Sequence, residues 1–125
     1  MNVQEAIQNH REICDELYAL AMEENRFLQE NRRPAEKELI DRRRVALKRL
    51  DDAVVALRAV PSGGVRDPSR RDALEKTQAR IMQILQIDRE NEQLLTRHSL
   101  SRGTPPAPDS PDRGALQRIY SGGAP

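Results

Sequence analysis

Tryptophan is absent from the 125 residues, phenylalanine occurs once and tyrosine twice. A β-sandwich core leans on aromatic and β-branched side chains and cannot be filled from that stock. The one cysteine, Cys14, has no partner for an internal disulfide, which suits a reducing compartment. No run approaches the ~18 consecutive apolar residues of a transmembrane span, and the first residues lack a basic-then-apolar leader. A cytoplasmic chain that does not insert into membrane is therefore expected. An excess of one charge is missing too: 21 Lys and Arg stand against 20 Asp and Glu, for a net charge of +1. No whole-molecule field draws such a chain to nucleic acid or an anionic membrane.

What the chain does have is Leu, Ile, Ala and Val at helical spacing among many charges, with 33% of residues charged. Each such aliphatic side chain contributes roughly 1.5–3 kcal/mol when buried. Val3, Ala6, Ile7, Ile13, Cys14, Leu17, Ala21, Phe27 and Leu28 recur at three and four residues and predict a first helix over about 3–31. Pro34 interrupts the pattern and suits the first position of a second helix, expected over about 34–60, with Leu39, Ala46, Leu47, Leu50, Ala53, Val54 and Leu57 as its apolar face. Pro61-Ser62-Gly63-Gly64 ends it. Asp67 as N-cap and Pro68 in the first turn, with Ser69 as the rival cap, open a third helix running to about 98. Short connections make neighbouring helices antiparallel. The fold class is all-α: an elongated antiparallel three-helix bundle, or coiled coil, over residues 1–98.

From Ser99 onward Pro, Gly and Ser dominate, so residues 99–125 are predicted to be a disordered tail. Ala115 to Tyr120 forms an apolar island inside it, and Leu116, Ile119 and Tyr120 are candidate docking residues. The plainer reading is a chance cluster near a frayed end.

The third helix carries more apolar surface than a bundle needs. Around Ile81 the chain reads Ile-Met-Gln-Ile-Leu-Gln-Ile, and at 100° per residue the apolar arc spans roughly 220°. A helix that only faces a core shows a stripe a little over about 100° wide. The surplus points to a binding protein. Counting in sevens from Leu74 gives Ile81, Asp88 and Leu95, and from Thr77 gives Ile84, Asn91 and His98. Asp88 and Asn91 thus interrupt the apolar seam. Polar residues in a seam lower stability but fix register or partner. Either the bundle ends near Leu85 and both lie in water, or this half of the helix is loosely held and open to a partner.

Residues that invite a catalytic or metal reading do not add up to a site. His10 and Cys14, four apart, could supply two zinc ligands, but only His98 remains to join them, so no cofactor or metal is expected. The plainer reading is a buried Cys14 beside a surface His10. No nucleophilic triad or phosphate loop can be assembled, and the chain does not read as an enzyme. Arg42, Arg43, Arg44, Lys48 and Arg49 scatter around their helix among Asp41, Asp51 and Asp52, without aromatic interleaving. They read as a solvated charged face, not a nucleic-acid stripe.

The stretch Asp88-Arg89-Glu90-Asn91-Glu92-Gln93-Leu94-Leu95 resembles the Asn-x-x-Asn-x-x-Leu-Leu-like segment in the third helix of flagellar export chaperones of the FlgN type. Glu23 to Leu28, and Leu39 to Leu50 reading LIDRRRVALKRL, are similar to that family's first- and second-helix patterns. Ile119-Tyr120-Ser121-Gly122-Gly123 resembles its tyrosine-glycine tail element. Asp88 stands where the pattern has its first Asn, and Arg43 about where it has a Lys. The resemblance implies a cytoplasmic chaperone that binds a helix of hook–filament junction proteins and delivers it to the flagellar type III secretion apparatus. Ile84, Ile87, Asn91, Leu94 and Leu95 would then be the contact residues, with Asn91 fixing register. Two alternatives from other classes are a homodimerising coiled-coil adaptor and a nucleic-acid-linked regulator.

Overall fold

The computed structural model describes residues 2–59, 68–101 and 115–121. Four helices account for nearly all of them, and no strand occurs among the described residues. The protein is all-α.

Helix α1, Val3–Asn31, opens on a reciprocal cap. The Asn2 side-chain oxygen accepts from the Glu5 backbone N–H at 2.8 Å, and the Asn2 amide donates to the Glu5 carboxylate at 2.7 Å. One otherwise unpaired backbone donor is thereby satisfied. At the other end Arg32 turns left-handed, φ 52° and ψ 36°, and its N–H donates to the Leu28 carbonyl. A side chain with a Cβ costs about 1 kcal/mol there. The Arg33 guanidinium lies over the Phe27 ring at 5.4 Å and packs the same turn.

Helix α2, Lys37–Arg58, starts three residues later than the expected position at Pro34. The reason is local. Arg33, preceding a proline, is driven towards extended backbone, and the chain needs several non-helical residues to reverse direction. Glu36 becomes the N-cap in extended conformation, without a side-chain capping bond. Leu39 then enters the core one turn in.

Helix α3, Pro68–Ser101, begins with Pro68 in its first turn, as expected. Ser69 lies inside the helix and is not its cap, while Asp67 falls outside the described residues. Beyond the expected end near residue 98 the described residues add two pieces, the second of them the apolar island around Tyr120. Residues 99–101 continue α3, and residues 115–121 form a further helix, α4, Ala115–Ser121. The expectation for the Pro-rich stretch between them lies outside the described residues.

Packing follows from the apolar faces. Helix α1 packs against both α2 and α3, and α4 packs against α2. Cross-helix pairs give the directions: Arg49 meets Glu16 and Arg42 meets Glu23, so α2 runs opposite to α1. Arg80 meets Asp15 and Asn25 meets Asn91, so α3 runs with α1. Ile13, Leu17, Leu50 and Ile84 are buried at the centre of one continuous apolar cluster. Each removes a side chain from water at a gain of roughly 1.5–3 kcal/mol, which fixes the helices that carry the polar groups described next.

Candidate functional site

Two regions combine chemistry-bearing residues with a surface: the second half of α3 and the seat of α4. In α3 the seven-residue seams do face inward. Thr77, Ile81, Ile84 and Asn91 are buried. Ile84 is 0% exposed inside the core cluster, and Asn91 is likewise 0% exposed. The expectation that these two present themselves to a partner is therefore corrected: both are covered by the chain's own helices. Ile87, Leu94 and Leu95 are half-buried, and Met82 and Leu100 are largely exposed. The surplus apolar arc thus divides: part is core, Ile87 and Leu94 form one half-covered flank, Leu95 lies across the buried Asn91 from them, and Met82 and Leu100 stand on the outer face.

Asp88 and Asn91 lie neither in water nor in a loosely held segment. The Arg43 guanidinium grips the Asp88 carboxylate with both terminal nitrogens, one bond at 2.7 Å, with side-chain exposures of only 7% and 17%. Such a two-point fit is the strongest geometry available to a guanidinium and a carboxylate. It ties α2 to α3 directly. Arg43 accordingly leaves the solvated charged face expected for its neighbours. Those neighbours do stay exposed: Arg42 pairs with Glu23, Arg44 with Asp41, Lys48 with Asp52 and Arg49 with Glu16.

Three residues further on, the Asn91 amide donates to the Ala21 carbonyl at 3.2 Å, and its oxygen accepts from the Asn25 amide at 2.9 Å. Gln29 donates in turn to the Asn25 side-chain oxygen. An asparagine satisfied at both ends of its amide locks the register of α3 on α1. Outside this lock runs a shallow depression lined by Gln86, Arg89, Glu90, Gln93, Leu94 and Arg97.

At the other end of the molecule the tail island is a seated helix. Leu116 is 2% exposed within the core cluster, and Ala115, Ile119 and Tyr120 pack against it. The Tyr120 hydroxyl lies 2.7 Å from His10 Nε2, with the rings edge to face. Cys14 Sγ is 3.9 Å from both partners. The Arg58 guanidinium donates to the Ile119 carbonyl. His10, expected at the surface, is buried beneath this helix, and its Nδ1 has no hydrogen-bond partner among the described residues.

Burial sets the charge state of the cluster. It lowers the His10 pKa and raises that of the Cys14 thiol to about 11, where the Tyr120 bond pulls the other way and Asp15 adds to the rise. Burial likewise raises the Tyr120 phenol, with Cys14 adding to it and Arg58 opposing. All three groups are neutral near pH 7. A thiol held so far from ionisation is a poor nucleophile, so the cluster is suited to packing rather than covalent chemistry. Among the described residues, no group of three or more His, Cys, Asp and Glu is arranged to hold a metal ion. No helix among them is long and apolar enough to cross a membrane.

The sequence reading missed Arg43, Asn25, His10 and Arg58. A signal existed for the first two. Once Asp88 and Asn91 are placed in an inward seam, each requires a polar partner from a facing helix. Comparison with protein-family models, with curated proteins and with solved structures finds no match.

Proposed function

We propose that this chain is a cytoplasmic export chaperone of the FlgN type. Its body is an elongated antiparallel three-helix bundle of coiled-coil character. It receives an amphipathic helix of a hook–filament junction protein and delivers it to the flagellar type III secretion apparatus. The observation that carries the reading is the half-covered flank of α3 formed by Ile87 and Leu94, about 20° apart around the helix and edged by Glu90 and Arg97. An apolar flank with charged edges suits an amphipathic helix, which anchors at i, i+3, i+4 and i+7. Ile84 and Asn91 take a different part from the one the resemblance implies: they hold α3 in place beneath the flank.

The test is calorimetric titration of the protein with a peptide carrying the terminal helix of a junction protein, beside melts followed by circular dichroism. Replacing Ile87 and Leu94, both half-buried, together with Asp is expected to lower the midpoint by several degrees but keep the folded helicity, while weakening binding at least tenfold, roughly 1.4 kcal/mol. Unfolding of that double variant ends the assignment, and so does unchanged binding. Self-association through the same flank, with no affinity for the peptide, favours the homodimerising adaptor instead.

A further inference from the structure

Helix α4 has only seven residues, and an isolated helix shorter than about 12–15 residues is marginal in water. Its shape depends on its seat. Leu116 reaches into the core cluster, Ala115 and Ile119 pack beside it, and Tyr120 closes over His10 and Cys14. Helix α1 meets α2 and α3 directly, without α4 between them.

The seat turns on one titratable ring. His10 is 4% exposed, and its polar neighbours are the Tyr120 hydroxyl, 2.7 Å from Nε2, and the Cys14 sulfur at 3.9 Å. A neutral ring meets the tyrosine with a single hydrogen: either the hydroxyl donates to Nε2, or Nε2–H donates to the hydroxyl oxygen. A second proton puts hydrogen on both nitrogens. Nε2–H can still donate to Tyr120, but Nδ1–H finds no acceptor among the described residues, and a full charge is buried with it. The groups around the ring do not compensate. Cys14 on α1 and Tyr120 on α4 are neutral. Asp15 on α1 is taken by Arg80 of α3 at 3.4 Å, and Arg58 at the end of α2 brings a like charge to the α4 seat. No carboxylate pairs with His10 among the described residues.

We propose that α4 is a pH-operated latch, seated while His10 is neutral and released when His10 takes a proton, with α1, α2 and α3 still packed. Release hydrates the charge and both ring nitrogens, so the open form takes its proton at the ordinary histidine value of about 6.5. The seated form takes it only at lower pH, because the ring is buried. Linkage gives the direction. Above about 6.5 the seated-to-open ratio is constant, and between that value and the seated one it falls by up to about tenfold per pH unit. Opening bares Cys14 and the apolar seat of Leu116. The latch operates whether or not a client binds α3.

Nuclear magnetic resonance of the full chain, following histidine rings and isoleucine methyls from about pH 8 to about pH 5, tests it. The His10 ring and the Ile119 methyl are expected to shift together below about pH 6.5, while the Ile13 and Ile84 methyls keep their positions. His10→Gln carries an amide that can still bond Tyr120 but takes up no proton, so Ile119 should stay seated throughout. His98→Gln should leave the response of Ile119 unchanged. An Ile119 that stays seated in the unmodified chain overturns the proposal. So does a response that persists in His10→Gln or vanishes in His98→Gln, since another group is then the sensor. Movement of Ile13 and Ile84 together with Ile119 overturns it as well, because the whole bundle is then melting. If His10→Gln does not seat α4 at neutral pH, the unmodified chain and His98→Gln decide: His10 and Ile119 must share one midpoint in both.

Discussion

Replacing Arg43 with leucine should be one of the costliest single changes in this protein, although an arginine flanked by arginines looks dispensable. The substitution strands the Asp88 carboxylate, whose side chain is only 17% exposed and whose two charge-assisted bonds disappear. Removing one partner of a buried pair costs about 3–5 kcal/mol, because the survivor stays desolvated. Asp88 retains a small exposed fraction and can recover some hydration, so a loss near the lower end, about 3 kcal/mol, is expected. Replacing both residues with leucine removes the stranded charge together with its partner and should return stability to within about 1 kcal/mol of the parent. The coupling in a double-mutant cycle is then at least about 2 kcal/mol. Urea titrations followed by circular dichroism, with the four proteins compared at one pH, give each number. A cost for Arg43→Leu below about 1 kcal/mol is the value for an exposed surface pair, and it would refute the reasoning.

Asn91→Ala should act on stability rather than on any bound partner alone, losing about 2 kcal/mol in the same titrations, because the Ala21 carbonyl and the Asn25 amide both lose a bond in a buried site. Leu50→Asp buries an unpaired charge at a fully covered position and should abolish the cooperative melt. His10, lowered by burial, contributes stability that is complete above its unfolded pKa of about 6.5. That contribution is lost as the pH falls below this value towards the folded one. Thermal midpoints should therefore decline on acidification, and less so in His10→Gln. The Cys14 thiol, raised to about 11 by burial, should react slowly with a maleimide at neutral pH, and Leu116→Asp should speed the reaction by loosening α4; equal rates in the two proteins would mean that α4 does not guard the thiol.

The all-α class and the helix faces were legible in the sequence because periodicity reports burial directly. Ile13, Leu17, Leu50 and Ile81 all stand where their spacing put them. The start of α2 was less legible. Proline is equally at home in the first helical turn and in the extended segment before it, and the left-handed turn at Arg32 decides between them. At Asp88 and Asn91 the spacing placed both residues in the seam, but the partners lie 45 and 66–70 positions away along the chain. No local pattern marks one arginine of Arg42-Arg43-Arg44 as the one that turns inward. The tail island showed its hydrophobicity but not its seat, since the fit to His10 and Arg58 arises only when three helix ends meet.

The polar lock also restricts how a client helix can be received under the proposed function. A helix that inserted between α3 and its neighbours would break the Arg43–Asp88 pair and both Asn91 bonds. Those losses are about 3 kcal/mol for the pair and about 2 kcal/mol for the asparagine. Completing the burial of Ile87 and Leu94, which are already half-covered, returns only part of the roughly 1.5–3 kcal/mol that each full burial is worth. Insertion therefore recovers little beyond its own cost before any ordering of the client is counted, and that ordering alone costs several kcal/mol. Addition of the client along the outside of α3 keeps the lock intact and retains the whole gain. Amide exchange separates the two routes. On adding a client peptide, protection across residues 88–95 should be kept or increased, and a loss of protection there would show that the lock opens and that recognition proceeds by insertion.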